Sequence, residues 1–459
     1  MISDMYLRGR PEGDRINLME AMGWGRYPKT TAELIQPADS RALQKFIASQ
    51  KKSASCIGRG SGRSYGDSAL AEQLVSSRFL DNFLELDQQQ NVLRCGAGVK
   101  LGDILKICIP RGLFLPVLPG AKAVSVGGAI AADVHGKNHH IDGSFCAHVQ
   151  RISLVLASGE LVTCSEQENP ELFRATCGGM GLTGVISDAT LSLDSIPSSY
   201  INQRSLVANN LAECFVHIED NADSKYSVAW LDCLATDKNL GRSVLYLGEH
   251  AASKNRKTDT MYRERSGLGV PFSIPSFLLN KTTVSSFNAS YFGMQKRKKS
   301  NTTLGCDNYF FPLDSISNWN RLYGSKGFLQ YQFVIPNEGA LEGITSVLEK
   351  IAEKGKGSFL TVLKKFGDSN ENLLSFARSG YTLTLDFKNE PALFPLLEDL
   401  DRIVLAHDGR LYLAKDARMS EEVFKASYPN WERFMTIKNK YDPDNRFASL
   451  QSNRLGLTQ

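Results

Sequence analysis

The sequence predicts an α+β protein of two domains, and three features of the 459-residue chain support this. Short strands and helices alternate over about 20–195, and a more polar, irregular stretch follows over 196–310. After that stretch, apolar spacing gives the order strand, helix, strand, strand, helix, strand, which is a split βαβ unit. With 42% hydrophobic residues, a chain of this length can bury the cores of two domains.

Two glycine-rich loops mark the first part of the chain. Residues 58–67 read GRGSGRSYGD, and residues 115–148 place five glycines among small and β-branched residues. Glycine lets the backbone approach a ligand closely, so that successive N–H groups can point at one anion. Two such loops favour a long ligand with a central diphosphate, which indicates a dinucleotide cofactor. The alternative is a pair of ordinary turns between buried strands.

The usual nucleotide-binding motifs do not explain these loops. The chain contains no phosphate-binding P-loop pattern. Residues 179–184 read GMGLTG, but a helix is predicted before them, from Pro170 with Asn169 as its N-cap. The residues after them, VISDATLSL, alternate as a strand does, and residues 152–165 read as a hairpin that turns at Ser158-Gly159. Because this order is the reverse of the dinucleotide fingerprint, a Rossmann site is excluded.

The last part of the chain supplies a candidate substrate surface. Strands are predicted over 329–335, 358–366, 381–387 and 410–415, and helices over 341–351 and 396–404. Leucines and aromatic residues alternate with polar residues along these strands, so the polar ones share a face. That face suits hydrogen bonds to a sugar, although an ordinary polar surface has the same pattern. Its residues are Gln330, Gln332, Thr382, Thr384 and Asp386.

Composition excludes several classes of protein. A net charge of +4 does not indicate nucleic-acid binding. Nine cysteines between 56 and 306 form no C-x-x-C pair, which predicts reduced thiols in a cytosolic protein. Neither a signal peptide nor an 18-residue apolar window is found, so we expect a cytoplasmic protein without a spanning helix. The basic cluster Lys296–Lys299 indicates either a solvated, mobile loop or a contact with anionic lipid headgroups.

The chain resembles a known family. Four segments are similar to the FAD-binding domain of the vanillyl-alcohol oxidase, or p-cresol methylhydroxylase (PCMH), superfamily: Gly58–Asp67, Gly96–Val99, Leu118–His140 and Cys177–Leu193. Four further segments resemble one subgroup, the decaprenylphosphoryl-β-D-ribose 2′-oxidases: LGRSV at 240–244, FPLDSISNWNRLYGSKGFLQYQFVIP at 311–336, GRLYLAKDAR at 409–418 and YDPDNRFAS at 441–449. The resemblance covers nearly the whole chain.

The resemblance implies an architecture and a cofactor. It implies a PCMH-type FAD-binding domain of two α/β subdomains over 1–195, a substrate domain with an antiparallel sheet and helices over 196–408, and a C-terminal segment, 409–459, that returns to the FAD domain. The diphosphate of FAD would lie on N–H groups of the two glycine loops rather than at one helix N-terminus. The implied cofactor-binding residues are Gly58, Arg59, Gly60, Ser61, Gly62, Arg63, Ser64, Tyr65, Pro119, Gly120, Ser125, Gly127, Gly128, Ala131, His135, Asn138, Gly181, Gly184, Val185 and Tyr412.

One position predicts how FAD is held. Many members of the superfamily attach FAD covalently through a histidine immediately before the hydroxyl-aromatic pair of the first loop. Arg63 stands at that position here, before Ser64-Tyr65. A guanidinium does not form this bond, so we expect non-covalent FAD.

The resemblance also implies the catalytic residues. Lys415 would be the cation that stabilises developing negative charge, and His135 would lie against the flavin. Strand parity places Lys415 with Leu411 and Leu413, which predicts either that the strand ends before the lysine or that the lysine is desolvated. His139 and His140 lack a third ligand at usable spacing, so no metal is expected. The implied substrate-binding residues are Tyr65, Gln330, Gln332, Lys364, Thr382, Thr384 and Lys415.

The implied activity is oxidation, by FAD, of the 2′-hydroxyl of a polyprenyl-phospho-β-D-ribofuranose. A short-chain NAD(P)H-dependent reductase would complete the epimerisation to an arabinofuranose donor, and the enzyme would be peripheral on the inner face of the plasma membrane. Thr384 replaces a cysteine of mycobacterial members, and Phe310-Phe311 replace a Tyr-His pair, so the pocket rim differs. The alternatives are an oxidase of free alditols or aldonolactones and a flavin-fold scaffold without turnover.

Overall fold

The computed structural model describes residues 18–50, 55–253, 259–262, 264, 269–270, 273, 275 and 278–458. The helices of this described part are α1 Ser40–Ser49, α2 Leu101–Cys108, α3 Val126–Ala131, α4 His139–Asp142, α5 Pro170–Thr176, α6 Leu211–Glu219, α7 Lys281–Arg297, α8 Cys306–Phe310, α9 Asn337–Lys354, α10 Leu393–Ala406, α11 Glu421–Ser427, α12 Trp431–Tyr441 and α13 Leu450–Arg454. Its strands are β1 Leu18–Met22, β2 Lys29–Ile35, β3 Cys56–Arg59, β4 Gln73–Ser76, β5 Phe83–Asp87, β6 Val92–Gly96, β7 Leu113–Phe114, β8 Val149–Val155, β9 Leu161–Cys164, β10 Val185–Ser192, β11 Asp194–Ser195, β12 Tyr200–Ala208, β13 Tyr226–Leu231, β14 Ser243–His250, β15 Asn301–Gly305, β16 Phe328–Ile335, β17 Thr361–Phe366, β18 Gly380–Lys388 and β19 Arg410–Leu411.

Two small sheets form the N-terminal part, and the predicted α+β class is confirmed. One sheet has the order β1-β2-β4-β3, in which β4 runs parallel to both β2 and β3. The other is antiparallel, with the order β5-β6-β10-β8-β9. The predicted hairpin is β8–β9, with Val155 opposite Leu161. Helix α5 begins at Pro170 with Asn169 at the N-cap position, as predicted. The Asn169 side chain makes no capping hydrogen bond to the helix, and its amide donates to the Thr163 carbonyl.

A larger sheet, with the order β15-β12-β14-β13-β17-β18-β16-β19, follows. Residues 196–310 supply β12–β15 and the helices α6, α7 and α8, so the expectation of an irregular middle stretch is wrong. Their strands are antiparallel to one another and continue the sheet of the split βαβ unit. Polar side chains interrupt the apolar pattern of β12 and β15, so alternation along the sequence does not reveal these two strands.

Helices α9 and α10 cover one face of this sheet and leave the predicted polar residues on the other. Tyr331 on β16 donates to Asp401 of α10 over 3.0 Å, so Gln330 and Gln332 face the opposite way. Cross-strand pairing then places Asp386 opposite Gln330 and Thr384 opposite Gln332. The register of β16 and β18 therefore places the polar residues of both strands on one surface.

The last predicted strand, residues 410–415, is wrong in length. Strand β19 consists of Arg410 and Leu411 alone, and the chain then turns, with the Lys415 N–H donating to the Tyr412 carbonyl over 2.9 Å. The strand ends there because the first glycine loop stabilises the turn: the Tyr65 N–H donates to the Ala414 carbonyl over 3.0 Å. Alternation in the sequence does not report such long-range contacts.

The C-terminal segment contacts the first small sheet. Phe447 forms a bridge with Cys56, and the Ala448 N–H donates to the Cys56 carbonyl over 3.1 Å. Arg454 joins Asp67 of the first glycine loop to Asp416, at 2.8 Å from each carboxylate. The nine cysteines are buried and free, and burial raises the pKa of Cys56 to about 12.

Candidate active site

A cavity of about 1170 Å³ lies between the glycine loops, the large sheet and helix α7. Most of the predicted site residues line it, whether they were assigned to cofactor or to substrate. Two do not. Asn138 donates to the Pro116 carbonyl over 2.7 Å and contacts Asp142, and Thr382 lies behind Gln332, 3.2 Å from its amide. The predicted residues that line the cavity are Gly58, Arg59, Gly60, Ser61, Gly62, Arg63, Ser64, Tyr65, Pro119, Gly120, Ser125, Gly127, Gly128, Ala131, His135, Gly181, Gly184, Val185, Gln330, Gln332, Lys364, Thr384, Tyr412 and Lys415.

The first glycine loop offers unpaired donors to this cavity. Within the described residues, the N–H groups of 60–64 donate to no protein atom. A side chain added at Gly120 would meet open space, so the backbone of the second loop borders the cavity directly. Such N–H groups suit a diphosphate. The residues present therefore fit FAD with its diphosphate between the two loops.

The second loop differs from the expectation in one respect. Ser125 is the N-cap of α3, so Gly127 and Gly128 belong to a short helix rather than to a loop. The Gly127 N–H already donates to the Ala97 carbonyl over 2.8 Å, and the Val126 N–H donates to the Val99 carbonyl over 2.9 Å. These donors hold α3 against β6 and its following turn. Among the described residues, the unpaired N–H groups of the second loop that border the cavity therefore include those of Gly120 and Ala121, before α3.

Arg63 occupies the position where relatives carry an attaching histidine. Its guanidinium lies 4.2 Å from the centre of the Trp24 ring, and its Nε has no partner among the described residues. Burial lowers the pKa of Arg63, while Asp314 opposes this. An arginine keeps its charge even so. Arg63 thus adds a fixed positive charge to the cofactor side of the cavity.

Lys415 lies at the junction of the glycine loop and the large sheet. Its Nζ is 3.9 Å from the centre of the Tyr65 ring. Both alternatives raised by the strand parity apply, because the strand ends before Lys415 and the lysine is desolvated. Burial lowers its pKa to about 7, although Asp386 raises it and Lys364 lowers it further. Negative charge that develops in the cavity favours the ammonium form and raises this pKa.

His135 joins the second loop to the large sheet. Burial, and then the charge of Lys364, hold the pKa of His135 well below its usual range, so the imidazole is neutral. Lys364 Nζ lies 3.3 Å from Nδ1, and the Gln332 amide lies 2.9 Å from Nε2. Because an ammonium only donates, Nδ1 accepts and Nε2 carries the proton. The structure places the amide nitrogen of Gln332 beside Nε2, so a proton on Nε2 requires the flipped amide, in which the oxygen accepts. His135 then orients both neighbours.

Aromatic packing keeps this imidazole in place. The His135 ring lies 4.7 Å from Phe366 and 5.6 Å from Tyr412, measured between ring centres. Tyr412 stacks on Phe376 and donates its hydroxyl to the Ala132 carbonyl over 2.8 Å. The turn that carries Lys415 is thereby anchored to the helix that carries the second glycine loop.

Two further residues belong to the surroundings of the site: Asp386, which strand parity placed on the polar sheet face without a stated role, and Lys137, which the sequence pattern did not single out. Asp386 is fully buried, accepts from Gln330 over 2.6 Å, and leaves its other oxygen without a partner among the described residues. Burial raises its pKa to about 7, while Gln330 and Lys415 oppose this. Lys137 lines the cavity with Nζ 4.0 Å from the Tyr309 ring, and burial lowers its pKa to about 7. A charged residue within an apolar strand was the available signal for Asp386.

Replacing Asp386 with asparagine is expected to move the alkaline limb of the flavin-reduction rate to lower pH. The carboxylate favours the Lys415 ammonium, so its removal lowers the pKa of Lys415. As the pH rises, Lys415 of the variant therefore loses its ammonium proton at a lower pH than Lys415 of the wild type does. Stopped-flow reduction across pH 6–10 measures this. Asp399→Asn, which removes a surface carboxylate beside Lys350, is the control, and an unchanged limb in Asp386→Asn would contradict the coupling.

The two histidines of the pair, His139 and His140, contact backbone groups. The His139 Nδ1 accepts from the Gly367 N–H over 3.2 Å, and the ring of His140 contacts the Ser224 carbonyl at 2.9 Å. Burial lowers the pKa of His139 to about 4. Across the described residues, no group of three or more His, Cys, Asp or Glu side chains could hold a metal ion.

Comparisons with known proteins agree with this site. Residues 31–165 match the FAD binding domain family, and residues 382–455 match the D-arabinono-1,4-lactone oxidase family. The chain is 37% identical over 451 residues to the decaprenylphosphoryl-β-D-ribose oxidase of Mycolicibacterium smegmatis, covering 95% of this chain and 97% of that protein. It is 19% identical over 461 residues to the L-gulono-1,4-lactone dehydrogenase of Mycobacterium tuberculosis, covering 94% and 98%.

A bovine L-gulonolactone oxidase is 23% identical over 451 residues, covering 93% of this chain and 96% of that protein. The identity to the ribose oxidase is higher at a similar coverage. FAD is therefore the cofactor, and the protein is an FAD-dependent oxidoreductase. The chain belongs to the decaprenylphosphoryl-β-D-ribose oxidase family of the PCMH-type flavoproteins.

Proposed function

We propose that the protein oxidises the 2′-hydroxyl of a polyprenyl-phospho-β-D-ribofuranose to the 2′-keto sugar. The observation that carries this proposal is the position of Lys415, over the Tyr65 ring in the cavity that the paired Gln332 and Thr384 also line. The relative with 37% identity carries the name of a ribose oxidase acting on a decaprenylphosphoryl sugar. Glutamine and threonine side chains supply the donors and acceptors that sugar hydroxyls require.

Some residues of the site position the substrate, and Lys415 stabilises negative charge that develops during the reaction. FAD, when bound, supplies the two-electron acceptor. Lys415 places an ammonium where negative charge develops, and the buried setting strengthens that interaction. Gln332, oriented by His135, fixes the sugar hydroxyls relative to Lys415. The apolar lining excludes water from the reacting atoms.

The product of this oxidation implies a partner. A 2′-keto sugar becomes the arabino epimer only when hydride is returned to the opposite face, so a reductase must follow. We assign this step to a short-chain NAD(P)H-dependent reductase. The oxidation is then the first half of an epimerisation that supplies an arabinofuranose donor for cell-envelope glycans.

Substrate comparison tests the proposal. Purified holoenzyme is mixed with farnesylphosphoryl-β-D-ribose, xylitol or L-gulono-1,4-lactone, and reduction of a dye acceptor is followed. Turnover of the lipid-linked ribose with formation of a ketone is expected. Turnover restricted to xylitol or the lactone would contradict the proposal, and no turnover with any of them would leave a flavin-binding scaffold.

A second candidate function is oxidation of a free alditol or aldonolactone. The match of residues 382–455 to the D-arabinono-1,4-lactone oxidase family favours it. That segment includes Thr384, Tyr412 and Lys415, which line the cavity. The same substrate comparison separates the two functions, because the substrate of a lactone oxidase carries no polyprenyl-phosphate tail.

The flavin is expected to be released by acid. Arg63 lies over the Trp24 ring where a histidine would form the covalent bond, so only non-covalent contacts hold FAD. After precipitation with trichloroacetic acid, FAD absorbance is expected in the supernatant. Absorbance that stays with the denatured pellet would show a covalent link elsewhere.

We also propose that the protein meets its substrate at a membrane surface. No helix in the described ranges is long and apolar enough to cross a bilayer. Residues Lys296–Lys299 are exposed at the C-terminal end of α7, so the alternative of a loop is wrong for the first two of them. Basic residues near an anionic surface each contribute about 1 kcal/mol.

Replacing all four residues of Lys296–Lys299 with serine is expected to weaken binding to phosphatidylglycerol vesicles and to leave the flavin content unchanged. The reason is the loss of four positive charges at one helix end. Sedimentation with vesicles measures the bound fraction. The control is the double variant Lys350→Ser/Lys354→Ser on α9. Equal vesicle binding by the wild type and the fourfold variant would show that Lys296–Lys299 do not contact the membrane.

A further inference from the structure

The cavity has an apolar arm that the oxidation chemistry does not use. It extends from the polar sheet face to helix α7 and is lined by Val228, Trp230, Phe287, Tyr291, Phe359 and Val362. We call these six residues the apolar arm. It is part of the same cavity that the glycine loops and Lys415 line.

One row of the sheet leads from the sugar-binding residues into the arm. Gln332 pairs with Thr384, Thr384 pairs with Val362, and Val362 pairs with Trp230. Directly paired residues share a face of the sheet. Neighbouring strands lie about 4.8 Å apart, so the three spacings from Gln332 to Trp230 add up to about 14 Å. Over this distance the surface changes from polar to apolar.

Helix α7 covers the outer part of this row. The Tyr291 ring lies 4.5 Å from the Trp230 ring, and its hydroxyl is 2.8 Å from that of Tyr246. Val284, Phe287, Tyr291 and Gln295 recur at helical spacing and all line the cavity. This stripe spans twelve residues, which are eleven steps of 1.5 Å or about 16 Å.

The arm opens to the surface through apolar side chains. Phe287 is 50% exposed although its ring packs edge-on against Phe359 at 5.8 Å. Leu278 also lines the cavity and is 45% exposed. Along this row a ligand therefore meets apolar side chains from the polar face to the surface, which suits an elongated apolar chain.

We propose that the apolar arm binds the isoprenoid chain of the lipid-linked sugar and leads it out past Phe287. This inference rests on the proposed function, because it assigns the tail of that substrate. The row of paired residues is continuous from Gln332 to Trp230. A single ligand with a polar end at Gln332 and an apolar end at Trp230 therefore matches it. A free alditol or lactone fills the polar end alone.

The test compares two substrates that differ only in the tail, farnesylphosphoryl-β-D-ribose and methylphosphoryl-β-D-ribose. In Phe287→Ser holoenzyme, KM for the farnesyl substrate is expected to rise about tenfold, since one large apolar contact is lost. KM for the methyl substrate and kcat for both are expected to stay unchanged. Val228→Phe, which fills the arm without removing a contact, is expected to raise KM for the farnesyl substrate selectively as well.

Met294→Ser is the matched control, because Met294 is 48% exposed on the same helix but does not line this cavity. An unchanged ratio of the two KM values in Phe287→Ser and Val228→Phe would overturn the tail site. Equal effects of Phe287→Ser and Met294→Ser would also overturn it and would assign α7 to a general membrane contact. If wild type oxidises neither substrate, the proposed function itself fails, whereas equal KM values for both substrates leave the reaction standing and exclude the tail site.

Discussion

Lys415→Met is expected to slow flavin reduction by the lipid-linked ribose by about 10²–10³-fold, which corresponds to roughly 3–4 kcal/mol. The variant keeps most of the apolar stem over the Tyr65 ring and loses the ammonium. Burial makes this charge effective, because little water is present to replace it. Anaerobic stopped-flow absorbance of the flavin measures the rate.

The fold is expected to tolerate this change. Among the described residues, the Lys415 side chain donates no hydrogen bond that holds the turn, whose hydrogen bonds come from Tyr65 and Tyr412 backbone groups. Lys425→Met is the matched control, since its Nζ also lies over an aromatic ring, 4.4 Å from the centre of Trp431, far from the cavity. A normal reduction rate in Lys415→Met together with a lowered thermal midpoint would make Lys415 a structural residue and would move the catalytic role to His135.

Asp442→Ala is expected to lower the free energy of unfolding by about 3–5 kcal/mol, because it leaves a buried lysine unpaired. Lys438 and Asp442 are both fully buried, with Nζ and Oδ2 2.9 Å apart. Asp442 also accepts from the N–H groups of Arg446 and Phe447, at 2.8 and 2.9 Å. These bonds hold the segment that pairs with Cys56 beside the first glycine loop.

Urea unfolding followed by tryptophan fluorescence, with FAD content measured beside it, tests this prediction. Glu421→Ala is the control, because it breaks an i,i+4 pair with Lys425 that is exposed and contributes about 0.5 kcal/mol. The double variant Lys438→Met/Asp442→Asn is expected to recover part of the loss, since no charge then remains buried. Equal midpoints for Asp442→Ala and Glu421→Ala would show that the pair does not stabilise the segment.

The sequence by itself predicted the class of the fold and much of the candidate site. Glycine loops are local, and so is the alternation that placed Gln330 and Gln332 on one face of a strand. Alternation failed over 196–310 because β12, which lies between the edge strand β15 and β14, carries polar residues on both faces. It failed again after Leu411, where contacts from Tyr65 end the strand.

Only the tertiary structure decided which residues meet and what charge they carry. Asp386, Lys364 and Lys415 lie far apart in sequence, and their pKa values depend on burial and on one another. The free oxygen of Asp386 and the row from Gln332 to Trp230 follow from strand order and register, which link β16, β18, β17 and β13. Residue types determine what chemistry a chain can perform, while desolvation and register determine where in the fold that chemistry is assembled.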